Sequence, residues 1–195
     1  MIAESARLRE VLVKRGKVIA IREQDVGSLV VYYVRPVTGT VFPRELLVSW
    51  ILITLGSTDD LEEYAGVRLY LPPMGDLIRE QECYLDLDEV EEFIGGIDFV
   101  ASTRNSLSES LPERRELYYS SREDARIGIY KRPGEPTTIP YISLTTGGEV
   151  NLFTTPQSLA SEQSSALCAL EGEEFAPIRS LVASALSQLK DIRPK

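Results

Sequence analysis

The feature that most constrains the fold is a series of short, strand-like runs in the second half of the chain. Residues 116–120, 125–131 and 138–144 are rich in β-branched and aromatic side chains. Glycine and proline at 133–136 and 146–148 supply turns after the second and third runs. Short strands at even spacing with tight turns predict an antiparallel meander.

The first half of the chain also favours strands. Residues 17–22 and 29–34 read as a hairpin, with turn chemistry at 25–28. The apolar run 45–55, which holds Trp50, predicts a central strand, although its periodicity alone leaves a buried helix open.

Other segments of the first half have less regular patterns of apolar residues. Residues 4–14 carry a weak helical pattern before Gly16, although the segment could equally run into a strand at 11–13. Thr58 or Asp59 is a candidate cap for a short turn over 61–64. A further strand is predicted over 67–71, and the prolines that follow it end that strand.

A strand and a helix are predicted in the middle of the chain. Residues 82–86 read as a strand, and Asp88 with Glu91 matches a capping box that opens a helix. Gly95 and Gly96 are expected to stop this helix. Extended structure at 97–101 and a polar loop at 102–112 would follow.

Two helices are predicted near the C-terminus. A strand at 150–153 should precede a helix over 155–170, opened by Pro156 at its first position. A second helix over 177–190 carries the clearest amphipathic pattern in the chain. Its apolar stripe comprises Ile178, Leu181, Val182, Ala185, Leu186 and Leu189.

Together these elements predict an α+β fold with a mostly antiparallel sheet of about seven or more strands, covered by C-terminal helices. A chain of 195 residues normally forms one domain, so we expect a single domain over 1–195. The alternative is two lobes that divide near 72–76. A similar order of strand, cap and helix at 82–95 and 150–170 has no residue identity to support a repeat.

The charge balance disfavours several classes of partner. A formal net charge of −9 argues against nucleic acid and against anionic membrane surfaces. No apolar run reaches the roughly 18 residues of a membrane-spanning helix, so no membrane insertion is expected.

The N-terminus lacks a signal-peptide pattern, which predicts a cytoplasmic protein; an exported chain from which the signal has been removed is the alternative. Cys83 and Cys168 match no metal or redox spacing, and both are expected to be buried.

The sequence contains no histidine, which excludes Ser-His-Asp triads, Cys-His dyads and histidine-ligated metals. Glycine-rich phosphate loops are also missing. The acidic residues 86–92 are better explained as helix caps than as a calcium loop, which would need glycine where Glu91 stands. We therefore expect no metal and no cofactor.

Tyrosine and arginine on the predicted strands are the best candidate site. In a tyrosine doublet on a strand, one ring faces each side of the sheet. The outward rings could form a recognition patch with nearby arginines, since both residue types are enriched in binding hot spots. Ordinary cross-strand packing is the alternative explanation. The candidate partner-binding residues are Tyr119, Arg122, Arg126, Tyr130 and Arg132.

The sequence therefore favours a non-catalytic protein-binding or adaptor module, which acts on a protein partner or in a homo-oligomer. One alternative is a hydrolase that works through carboxylates without histidine. Another is an exported bacterial periplasmic or surface domain.

Overall fold

The computed structural model describes residues 8–13, 18–34, 39–57, 60–75, 78, 80–110, 115–131, 137–145 and 165–192. A short helix, α1 (Leu8–Val13), precedes four strands, which are β1 (Val18–Val34), β2 (Val41–Ser57), β3 (Asp60–Leu71) and β4 (Gln81–Asp86). The long helix α2 (Leu87–Ser110) follows. Four more strands are β5 (Arg115–Ser120), β6 (Ala125–Lys131), β7 (Thr138–Thr145) and β8 (Ser165–Leu170). A 3₁₀ turn (Glu171–Glu173) leads into α3 (Ala176–Ile192).

The strands form one eight-stranded sheet in the order β4-β3-β2-β1-β8-β7-β6-β5, and every neighbouring pair is antiparallel. This confirms the α+β class and the mostly antiparallel sheet. Within the described residues, no helix is both long and apolar enough to cross a bilayer.

The sheet consists of two units of the same element order. The first unit is β1–β4 followed by α2, and the second is β5–β8 followed by α3. The similar order of strand and helix noted in the sequence therefore has a counterpart in the structure. The second strand followed by a helix, however, lies at 165–192 and not at 150–170. Each helix packs against strands of the other unit: α2 lies on β5 and β6 as well as on β3 and β4, and α3 lies on β1, β2 and β3.

We call the face that carries α2 and α3 the inner face of the sheet. The main hydrophobic core lies there, because residues of all eight strands pack with the apolar faces of the two helices. The apolar stripe predicted for the last helix is confirmed: Ile178, Val182, Ala185, Leu186 and Leu189 are buried. The helices are antiparallel to each other and are linked by the ion pairs Arg179–Asp98 and Lys190–Glu91.

A smaller core lies on the opposite, outer face of the first unit. There α1 lies on β3 and β4, and its apolar residues share a cluster with alternate residues of β2 and with Tyr64 and Tyr84. The helix predicted near the N-terminus is thus confirmed within 8–13. The residues that form this core are Leu8, Val11, Ile51, Ile53, Leu55, Tyr64 and Tyr84.

Several predictions for the first half are corrected. The expected hairpin over 17–34 is one continuous strand, β1, with a bulge between Asp25 and Gly27. Pairing with β2 along its whole length outweighs the local turn chemistry. Gly27 also lets α3 approach, since a Cβ there would lie 2.8 Å from Leu181 Cδ2. The run 45–55 is a strand, as predicted, whereas 61–64 belongs to β3 and not to a capped turn.

The helix expected to stop at Gly95–Gly96 instead continues to Ser110, so the extended segment and most of the loop predicted after it are wrong. Burial of Phe93, Ile97 and Val100 on the inner face outweighs the low helix propensity of glycine.

The strands predicted at 116–120, 125–131 and 138–144 are confirmed. The helix predicted over 155–170 is wrong for 165–170, which form β8. These residues favour a strand here because β8 is hydrogen-bonded on both sides, to β1 and β7. The predictions for 146–164 lie outside the described residues. Cys83 and Cys168 are buried free thiols, which confirms their predicted burial.

Candidate functional site

A group of polar and aromatic side chains lies on the outer face of the second unit. The registers of β5, β6 and β7 place alternate residues of these strands side by side on that face. We call this group the tyrosine–arginine surface. It comprises Glu116, Tyr118, Arg126, Tyr130 and Tyr141.

Tyr118 and Arg126 are the accessible part of this surface. The Tyr118 side chain is 45% exposed. The guanidinium carbon of Arg126 lies 5.1 Å from the centre of the Tyr118 ring, in cation–π geometry. Nε of Arg126 is buried and has no hydrogen-bond partner. The pair therefore combines an exposed ring with a cation that, among the described residues, has no carboxylate within 4 Å.

The rest of the surface forms a packed base beneath this pair. The hydroxyl of the fully buried Tyr141 donates a hydrogen bond to the carboxylate of Glu116. Burial raises the pKa of Glu116, while the Tyr141 hydrogen bond and the Arg126 charge oppose the rise. The rings of Tyr130 and Tyr141 lie 6.0 Å apart at an angle of 59°. Arg126 therefore lies beside packed tyrosine rings and the carboxylate of Glu116.

The candidate partner-binding residues predicted from the sequence lie in different parts of the structure. Arg126 and Tyr130 belong to the tyrosine–arginine surface. Tyr119 lies on the inner face, where its ring makes an edge contact with Phe93 at 5.9 Å between centroids. Burial raises the pKa of Tyr119 to about 12. Tyr119 thus packs against helix α2, and Arg132 lies outside the described residues.

Arg122 also lies away from this surface, in the turn between β5 and β6. Its guanidinium pairs with Asp88 at 2.6 Å and with Glu89 at 3.5 Å. Its main-chain N–H donates to Glu89 at 2.5 Å. These contacts attach the turn to the start of α2, so Arg122 has a structural role in this fold.

The expectation that one ring of a tyrosine doublet faces each side of the sheet is confirmed, but the outward ring is Tyr118 and not Tyr119. Sequence reasoning missed Tyr118, Glu116 and Tyr141 as neighbours of Arg126. Tyr118 shares a face with Arg126 because the register pairs Tyr118 with Gly128 and Ser120 with Arg126, and no local pattern in the sequence indicated that register.

The acidic residues at the start of α2 are engaged in internal contacts. Asp86 accepts a hydrogen bond from the main-chain N–H of Leu8 at 2.9 Å. Asp88 and Glu89 bind Arg122, and burial raises the pKa of Glu89. Among the described residues, no group of three or more His, Cys, Asp or Glu side chains is placed to hold a metal ion.

These residues therefore connect elements of the fold, and the tyrosine–arginine surface remains the candidate site. No protein-family model matches the chain, and neither a curated protein nor a solved structure matches it.

Proposed function

We propose that this protein is a non-catalytic binding module that contacts another protein through the tyrosine–arginine surface. The observation that supports this most directly is the exposed Tyr118 ring with Arg126 stacked on it. Tyrosine and arginine are enriched among the residues that contribute most to protein–protein binding.

The preorganisation of the pair supports the proposal. Tyr118 has few rotatable bonds, and Arg126 is held by the ring and by the charge of Glu116. A side chain that is already ordered loses less conformational entropy on binding. Among the described residues the guanidinium of Arg126 forms no ion pair within 4 Å, so a carboxylate of the partner could pair with its charge.

The first unit carries a matched control for this pair. On β3, the guanidinium carbon of Arg68 lies 4.4 Å from the centre of the Tyr70 ring. Unlike Arg126, Arg68 is satisfied internally by Glu23 at 3.0 Å and Glu82 at 2.9 Å. The two pairs therefore have the same chemistry, but among the described residues only Arg68 has carboxylate partners within 4 Å.

The experiment is affinity capture from the native organism with quantitative mass spectrometry. It compares the wild type, the double variant Tyr118→Ala/Arg126→Ala and the control double variant Tyr70→Ala/Arg68→Ala. Thermal unfolding first establishes that each variant is folded. We expect a partner that the wild type and the control variant retain and the second-unit variant loses.

The proposal is contradicted if the second-unit variant retains every partner of the wild type. It is also contradicted if no partner is recovered above background and the purified protein scores in a hydrolase screen.

A further inference from the structure

Strand β5 forms one edge of the sheet, and its main-chain groups alternate between β6 and the open side. The N–H of Ser121 donates to the carbonyl of Ala125 at 2.9 Å, which makes this a hydrogen-bonded pair. Hydrogen-bonded and non-hydrogen-bonded pairs alternate along an antiparallel ladder. The N–H and C=O groups of Ser120, Tyr118 and Glu116 therefore point away from β6. Among the described residues, none of these groups has a main-chain partner outside the ladder.

The opposite edge of the sheet, β4, is covered in part, at Cys83 and Tyr84. The main-chain N–H of Tyr84 donates to Oε2 of Glu123 at 3.4 Å, and Sγ of Cys83 donates to the main-chain oxygen of Glu123 at 3.7 Å. The turn between β5 and β6 thus lies against the β4 edge. Uncovered sheet edges are templates for pairing with another chain, and proteins usually block them. Within the described chain, the outward main-chain groups of β5 have no such contact.

We infer that an extended, acidic segment of a partner protein adds to β5 as a further antiparallel or parallel strand. Its main chain would pair with Glu116, Tyr118 and Ser120, and a carboxylate on its outer face would meet Arg126. This inference rests on the proposed function and specifies how the partner is recognised. It uses β-strand addition, in which main-chain hydrogen bonds supply affinity and alternate side chains supply specificity.

Charge complementarity identifies the occupant. Residues 113–132 contain six arginine and lysine residues and four carboxylates, in a chain whose formal net charge is −9. The Arg126 guanidinium already lies over Tyr118, above the edge strand. An acidic segment would be attracted here, whereas a second copy of this chain would bring nine further net negative charges. The charges therefore favour an acidic partner over self-association.

The test uses random 12-residue peptides displayed on phage and selected against the full-length protein. We expect the selected peptides to be acidic and free of proline in their centre. The best of these is then synthesised, and its affinity is measured for Ser120→Pro and Ser120→Ala. Both variants lose the hydroxyl, but only proline removes the outward N–H. We expect Ser120→Pro to bind about tenfold more weakly and Ser120→Ala to bind like the wild type.

Hydrogen exchange of the wild type keeps the test valid if Ser120→Pro fails to fold. In the free protein, the amides of Tyr118 and Ser120 should exchange faster than those of Leu117 and Tyr119. Bound peptide should slow the exchange of Tyr118 and Ser120. Selection of no acidic peptide, or selection of peptides that leave these two amides unchanged, overturns the inference.

The two proposals fail separately. A partner that is lost with Tyr118→Ala/Arg126→Ala but leaves the β5 amides unprotected supports the proposed function and overturns strand addition. Concentration-dependent dimerisation in sedimentation velocity, with the same two amides protected and no acidic peptide bound, identifies a second copy as the occupant and overturns the acidic partner.

Discussion

The main-chain N–H of Tyr84 on β4 and the carboxylate of Glu123 in the β5–β6 turn form a hydrogen bond of 3.4 Å. The two residues are 39 positions apart in the chain and belong to different units of the sheet. Glu123 is buried, and it also lies 3.9 Å from the guanidinium of Arg9 on α1. This contact joins three elements at one edge: α1, β4 and the turn.

Glu123→Ala should destabilise the protein by about 1–3 kcal/mol, because it leaves the buried N–H of Tyr84 without its acceptor. The measurement is urea unfolding followed by fluorescence of Trp50, the only tryptophan. Glu63→Ala, which removes an exposed carboxylate on β3, is the control and should change stability little. Equal losses in the two variants would contradict a specific role for Glu123.

Gly95 and Gly96 are neighbours in α2 with opposite surroundings. A Cβ on Gly96 would lie 2.4 Å from the Tyr119 ring, whereas a Cβ on Gly95 would meet nothing within 4 Å. Gly95→Ala should therefore stabilise the protein by about 0.5–1 kcal/mol through helix propensity. Gly96→Ala should destabilise it by about 1–3 kcal/mol through overpacking. Thermal unfolding of both variants measures this, and a stabilising Gly96→Ala would show that α2 lies elsewhere.

Arg44 is a buried cation on the inner face of β2. Its guanidinium donates to the carbonyls of Leu71 and Pro72, at 3.3 and 2.6 Å, and to Gln81 at 3.2 Å. Among the described residues it has no carboxylate within 4 Å. Arg44→Lys should destabilise the protein more than Arg44→Met, because lysine keeps the buried charge but cannot reach all the acceptors.

We expect losses of about 3–5 kcal/mol for Arg44→Lys and about 1–3 kcal/mol for Arg44→Met in urea unfolding. The reverse order would mean that the charge itself stabilises this end of the core.

The pH dependence of stability should include a contribution from Glu89. Burial raises its pKa above the ordinary value of 4.5, so the folded state binds this proton more tightly than the unfolded state. The resulting stabilisation is complete below pH 4.5 and is lost as the pH rises through the folded-state pKa. The free energy of unfolding of the wild type, relative to Glu89→Gln, should therefore fall as the pH rises from 4.5 through the folded-state pKa. A flat difference over this range would contradict the raised pKa.

Both cysteine thiols should be unreactive in the native protein. Cys83 and Cys168 are fully buried, and burial raises their pKa to about 12 and about 11. Thiolate, the reactive form, is therefore scarce as well as inaccessible. A thiol reagent at mildly alkaline pH should label neither residue until urea unfolds the chain, and then both together. Labelling of one cysteine before unfolding would reveal local opening at that strand.

Much of the secondary structure followed from local patterns. The stripe of α3 was predicted because its apolar residues recur at helical spacing, and β5, β6 and β7 were predicted from β-branched and aromatic runs between turns. Local reasoning was wrong where distant partners decide the outcome. At Gly95–Gly96 the helix continues because Phe93 and Ile97 bury themselves against the sheet.

Only part of the candidate site was predicted, because contacts between strands decide which side chains share a face. The sequence indicated tyrosine and arginine on adjacent strands, and Arg126 and Tyr130 do share a face. The sequence did not determine the parity of the doublet, which depends on the register between β5 and β6. A shift of one residue in that register reverses every side chain, which is why Tyr118, and not Tyr119, lies beside Arg126.

The sequence alone determined the class of the fold and the location of most strands, because hydrophobic periodicity and turn residues act over a few positions. Only the tertiary structure decided which strands are neighbours, which edge is covered and which side chains meet. Those outcomes depend on contacts between residues far apart in the chain, such as Tyr84 and Glu123, for which no local pattern exists.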